Sequence, residues 1–125
     1  MTLTIALAVA LGGLIGAPAR NIVDTWVTDR VTGDLPWGTA AVNVSGSLVL
    51  GVITGLLLDH HVGPVPRALL ATGFCGAYTT FSTFTYESME LLEDGRLAEA
   101  VLNMFGSLAV GLAAAAAGVA IGLAL

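Results

Sequence analysis

Lysine is missing from this sequence altogether, and charge of either sign is scarce: 10% of the 125 residues are charged, whereas 56% are apolar. A soluble domain carries roughly a quarter charged residues, so this chain lacks the means to cover a surface in water. Its single cysteine, Cys75, excludes an internal disulfide and a cysteine metal cluster and leaves a packing role. A net charge of −5 argues against a nucleic-acid partner. No nucleotide-binding motif appears, and the chain does not read as an enzyme. Ala17-Pro18-Ala19 imitates a signal cleavage site, but no basic segment precedes the apolar run, so a membrane span is the expected reading.

What is present is long apolar stretches. They cover about residues 3–19, 37–58, 67–92 and 98–125, separated by short gaps that hold the charges. Each approaches or exceeds the ~20 residues that a helix needs to cross a ~30 Å hydrocarbon core. The expected fold is an all-α membrane protein, one domain over 1–125, with four transmembrane helices and a break in the third near 76–83. Helix 1 is expected to end near Pro18 and Arg20, before a short interfacial helix around 22–31. Trp26 and Trp37 suit the interfacial belt. Pro36 precedes helix 2, Pro66 opens helix 3, and Asp94-Gly95 signals a turn between helices 3 and 4.

Arg20, Arg30 and Arg96 flank one side of the membrane and Arg67 the other. Orientation follows the Lys/Arg bias of short loops, and this bias is weak. Two readings stand: insertion in both orientations, which permits an antiparallel homodimer, or one orientation set by Arg30 and Arg96. His60 and His61 form a loop pair with no further ligand types nearby, which reads as solvated rather than metal-binding.

At an offset of 60, Gly13-Leu14-Ile15-Gly16-Ala17 matches Gly73-Phe74-Cys75-Gly76-Ala77, and the Asn43 segment matches the Asn103 segment. A duplicated two-helix hairpin would make helices 1 and 3 parallel, and 2 and 4 parallel. Convergence of small-residue packing faces is the other explanation. Gly12–Gly16, Gly51–Gly55 and Gly118–Gly122 are GxxxG pairs, which let helices approach closely in lipid.

Polar side chains within a bilayer mark a pathway or an interhelical bond. Thr39, Asn43 and Ser47 share one face of helix 2, and Asn103 and Ser107 share one of helix 4. Neutral donors in a line can replace the hydration of an anion without trapping it; equally, Asn43 and Asn103 can tie helices together. Helix 3 holds five Ser/Thr residues within 79–85, directly after Gly73 and Gly76. Glycine, Thr and Ser all weaken a helix, and a break at mid-depth is tolerated only when buried in protein or lining a cavity. Phe81 and Phe84 share a face there. Their positive ring edges can meet an anion.

Residues 73–84, GFCGAYTTFSTF, resemble the Fluc (CrcB) fluoride-channel family, whose pattern is close to GFCGGFTTFSTF; Ala77 and Tyr78 depart from it. Gly12-Gly13-Leu14-Ile15-Gly16-Ala17 with Arg20, and Gly38-Thr39 with Asn43 and Gly46, are also similar, so the resemblance spans the chain. It implies an antiparallel dimer with two fluoride pores at the subunit interface, in the plasma membrane of a prokaryote. By that resemblance Phe81 and Phe84 are the pore phenylalanines, Asn43 is the pore asparagine, and Ser82, Thr83 and Ser107 belong to a polar track. Arg20 would attract anions in a vestibule, or serve as an interfacial anchor. The resemblance further implies a structural sodium ion held by the main-chain carbonyls of Gly76 and Thr79.

Two other classes fit less well. A proton-coupled multidrug transporter needs a carboxylate deep in the membrane, and the first helix has none; Glu87, towards the end of helix 3, reads as a surface acid, with a gating or hydrogen-bonding role as the alternative. A structural subunit would explain the glycine faces but not a hydroxyl-rich break.

Overall fold

Helix α1 starts at the Thr2 cap, whose hydroxyl accepts from the Ile5 N–H at 3.2 Å. In this computed structural model, which describes residues 2–33, 35–59 and 62–125, α1 then runs unbroken over Leu3–Arg30. The helix therefore does not end near residue 19. Pro18 lies inside it, and the segment around 22–31 forms its last turns rather than a separate helix. An interior proline removes one backbone donor, a local loss that the flanking turns outlast because neighbouring helices clamp them on both sides. Gly12 and Gly16 press against the third helical rod, and Asp24 and Thr28 press against Gly38. Near the end of α1, Arg30 donates to the Trp26 carbonyl at 3.1 Å and stands 4.1 Å from the centre of its ring.

Helix α2 spans Trp37–Asp59. The third rod opens as α3, Pro64–Arg67, with Pro64 rather than Pro66 at its start. It continues through a π-helical segment, Ala68–Cys75, into α4, Gly76–Tyr78. The chain then leaves the helix for two residues. Thr79 has φ −80° and ψ 158°, and Thr80 has φ −144° and ψ 122°. Helix α5 resumes over Phe81–Glu93. It ends in a turn where Gly95, at φ +73°, supplies the left-handed conformation. The Arg96 and Gly95 N–H groups return to the Leu91 and Leu92 carbonyls at 2.9 and 3.1 Å, so the last helical acceptors are used. The fourth rod comprises α6, Leu97–Val101, a second π-helical segment, Leu102–Gly106, and α7, Ser107–Ala124.

Among the described residues every regular element is helical. Three rods among the described residues are long and apolar enough to cross a membrane: α1, α2 and Leu97–Ala124. The run 64–78 extends at most about 22 Å at 1.5 Å per residue. His60, His61 and Asp34 lie outside the described residues.

Large apolar side chains mostly face outwards. Leu3, Leu14, Leu58 and Leu112 are all exposed, so burial of such groups does not hold the helices together. Bare backbone contact does. A Cβ on Gly12 would strike the Leu69 carbonyl oxygen, and one on Gly16 the Phe74 carbonyl oxygen. Gly51 meets Ala115 and Gly118, and Gly55 meets Val119 and Gly122. Contact positions rise together along both partners, so α1 runs parallel to the third rod and α2 parallel to α7.

Candidate functional site

The two residues of extended chain after α4 are held by α2. Asn43 Nδ2 donates to the Thr80 carbonyl at 2.8 Å, and Asn43 Oδ1 accepts from the Thr80 N–H, also at 2.8 Å. This pairing uses both ends of the amide on one backbone residue. Asn43 reaches Thr80 because Gly46, one turn further along α2, lets Thr79 and Tyr78 come close; a Cβ there would collide with the Thr79 methyl group. Thr80 then caps α5. Its hydroxyl oxygen accepts from the Thr83 N–H at 3.2 Å, and its hydroxyl donates to Thr83 Oγ1 at 3.1 Å. Capping by a Thr oxygen satisfies a donor that the first helical turn would otherwise leave bare.

These bonds have a consequence for two carbonyls. In a continuous helix the Thr80 N–H would serve Gly76 and the Thr83 N–H would serve Thr79, by the four-residue rule. Here the first goes to Asn43 and the second to the Thr80 hydroxyl. Thr79 directs its own N–H and hydroxyl to the Cys75 carbonyl, at 3.0 and 2.9 Å. The Gly76 and Thr79 oxygens thus lose their usual helical donors. Gly76 is exposed, with nothing within 4 Å of where a Cβ would stand.

Tyr78 is buried beneath the break. Its ring stacks on Phe74 with centroids 5.5 Å apart and an interplanar angle of 11°. Its hydroxyl meets Ser45 Oγ at 2.9 Å. Tyr78, one of the two departures from the family pattern, therefore points towards α2.

Beyond the break, Phe81 and Phe84 lie with ring centroids 6.1 Å apart, tilted by 41°. Phe81 is 79% exposed, Ser82 and Thr83 are exposed beside it, and Phe84 is half-buried. Hydroxyls back-bond to both phenylalanine carbonyls: Thr85 to Phe81 and Ser88 to Phe84, each at 2.8 Å. Ser107 opens α7 on the wall of an apolar groove of about 590 Å³, beside Asn103, Trp37 and Val44. Arg20 lies well inside α1 and is partly exposed.

The expected polar face of α2 splits three ways. Asn43 holds Thr80, Ser47 turns back to the Asn43 carbonyl at 2.8 Å, and Thr39 donates to Glu87 at 2.5 Å. Glu87 is thus not a free surface acid. It closes a cavity of about 290 Å³ shared with Asp24, Thr28, Trp37 and Thr39. Its spacing from Phe81 and Phe84 on one helix was a usable signal; its pairing with Thr39, 48 residues away, was not. Asn103 also proves to be an interhelical tie, donating to Ser88 Oγ at 2.9 Å.

Comparison of the sequence with known proteins identifies a family. Residues 7–119 match the family described as CrcB-like protein, Camphor Resistance (CrcB). The chain is 47% identical over 113 residues to fluoride-specific ion channel FluC 1 of Streptomyces avermitilis, covering 90% of this chain and 91% of that one. It is 43% identical over 122 residues to FluC 1 of Leifsonia xyli, covering 98% and 89%. It is 40% identical over 119 residues to FluC of Thermus thermophilus, covering 95% and 94%. A broken helix carrying TTFSTF, clamped by an asparagine of the preceding helix, thus sits within a chain that belongs to the CrcB family.

Proposed function

We propose that the chain is a fluoride-selective passive channel in the plasma membrane of a prokaryote, exporting cytoplasmic fluoride through two pores at the interface of an antiparallel homodimer. The observation that carries this reading is Phe81. Phe81 is 79% exposed and its neighbours Ser82 and Thr83 are exposed with it, so a lone copy would turn these hydroxyls towards lipid, where polar groups are costly. A second copy packed on this face would enclose ring edges and hydroxyls together. In that reading the third rod and α5 jointly make a fourth crossing, with the break at mid-depth.

The pore chemistry follows from the side chains. Fluoride enters cells as neutral HF and dissociates near neutral pH; a negative-inside potential then drives the anion outwards. Hydroxyls of Ser82, Thr83 and Ser107 replace its hydration, and the edges of Phe81 and Phe84 face it without binding tightly. An amide nitrogen has two hydrogens, so Asn43 can hold Thr80 and still offer one to the anion. Arg20 raises the local anion concentration at a vestibule.

The residues at the break suit a sodium ion. The Gly76 and Thr79 carbonyls are released from helical bonding, and two copies related by a dimer axis would supply four neutral oxygens to a hard cation. When bound, the ion would supply a central positive charge that joins the two copies; Asn43 and Thr80 keep its ligands aimed.

Fluoride efflux from liposomes reconstituted with the purified protein tests the reading, with potassium and valinomycin clamping the voltage and chloride followed in parallel. Rapid fluoride release with little chloride release is expected. No release from folded dimer would sink it.

A further inference from the structure

Helix α5 carries both phenylalanines, yet only Ser88 and Leu91 among its residues are buried. Polar contacts do much of the holding. From α2, Asn43 grips Thr80 just ahead of α5, and Thr39 grips Glu87. From the opposite rod comes a two-bond relay: Asn103 Nδ2 donates to Ser88 Oγ at 2.9 Å, and Ser88 Oγ donates on to the Phe84 carbonyl at 2.8 Å. Its direction is fixed by chemistry. An amide NH2 can only donate, so the Ser88 oxygen accepts and its single proton is left for Phe84.

Burial makes the relay consequential. Asn103 is 6% exposed and Ser88 2%, so neither bond competes with water, and a lost partner leaves a buried polar group unsatisfied. A serine that back-bonds to the carbonyl four residues earlier also bends its helix. In α5 the carbonyl so engaged is that of Phe84. Asn103 itself sits in the Leu102–Gly106 π-helical segment, a local widening of the kind found frequently at functional sites.

We propose that Asn103 and Ser88 are positioning residues for Phe84: through the Ser88 hydroxyl, the fourth rod sets the tilt of α5 at Phe84 and hence the spacing of the Phe84 and Phe81 rings. This assignment rests on the channel reading, which gives those rings their function. Neither residue needs to meet the anion.

The test compares Ser88→Ala, Asn103→Leu, the double variant, Ser88→Thr and a packing control, Leu91→Ala, by fluoride efflux from liposomes. A single 4-fluorophenylalanine at position 84 reports the ring environment by its 19F resonance. Ser88→Ala and Asn103→Leu are each expected to slow fluoride release on the order of tenfold, given how steeply misplacement by ~1 Å is felt, and to shift the resonance. The double variant should be no slower than the slower single, and Ser88→Thr, which restores the hydroxyl, should keep the wild-type rate. Leu91→Ala should lower thermal stability while leaving rate and resonance in place. Wild-type rate and resonance in both single variants, or fully additive losses in the double, would overturn the relay. If the wild-type protein passes no fluoride, the channel reading fails instead, and the resonance still reports on the relay.

Discussion

Asn43 and Thr80 exchange two hydrogen bonds of 2.8 Å, one in each direction, across 37 residues of sequence. The side-chain amide takes the place of a backbone partner at the point where α4 has ended and α5 has not begun. Replacing Asn43 by Ala leaves the Thr80 N–H and carbonyl without their partner, at a cost of about 1–3 kcal/mol. Asn43→Asp keeps the acceptor and loses the donor. The expected order of thermal stability in detergent is wild type, then Asp, then Ala, with fluoride efflux falling in the same order. Equal stability of all three would remove the clamp.

Gly118→Ala and Gly12→Ala each put a methyl group onto a carbonyl oxygen of the neighbouring helix. Backbone cannot swing aside as a side chain can, so the helices must part, at about 1–3 kcal/mol or more. Gly13→Ala, whose nearest neighbour is the Ala77 Cβ at 3.9 Å, serves as the tolerated control. A melting series should separate the three.

Gly76→Ala meets nothing within 4 Å in the single chain. Its secondary structure and helix packing should survive. Association should suffer, because the open space at Gly76 is the place where a second copy would approach. Crosslinking yield in lipid distinguishes a lost dimer from a lost fold, and unchanged dimer with unchanged flux would count against this face as the interface.

Phe81→Ala removes a ring that touches little of its own chain. Circular dichroism should be unchanged while fluoride efflux collapses, whereas Tyr78→Phe should do the reverse. Losing the Tyr78–Ser45 bond costs about 0.5–1.5 kcal/mol, and the ring stack on Phe74 remains, so flux should persist with a lower melting point.

Composition revealed the three long rods, because helices facing lipid must be apolar all round. It misjudged where α1 ends. Pro18 and Arg20 look like stop signals on local rules, but close contacts at Gly12, Gly16 and Gly38 carry the helix past them. The parallel packing of α1 with the third rod, and of α2 with α7, was legible in the matching glycine motifs. For the site, the hydroxyl run after Gly76 located the departure from helix, while its extent of two residues depended on Asn43. An asparagine on a polar face can serve an anion or a backbone, and only the three-dimensional register brings Thr80 within its reach. The partners of Glu87, Ser88 and Tyr78 were hidden for the same reason: each lies on another helix, at a distance along the chain that no local pattern encodes.

The unbroken α1 has one more consequence. Its 28 residues measure about 42 Å, against a hydrocarbon layer of ~30 Å. The surplus must be absorbed by leaning or by projection into the aqueous phase. The projecting end would carry Asp24, Asp29 and Arg30, and Asp24 shares its cavity with Thr39 and Glu87. Bilayer thickness thereby becomes a variable of the protein: a thicker membrane draws the acidic end of α1 towards the headgroups, and with it the wall of that cavity.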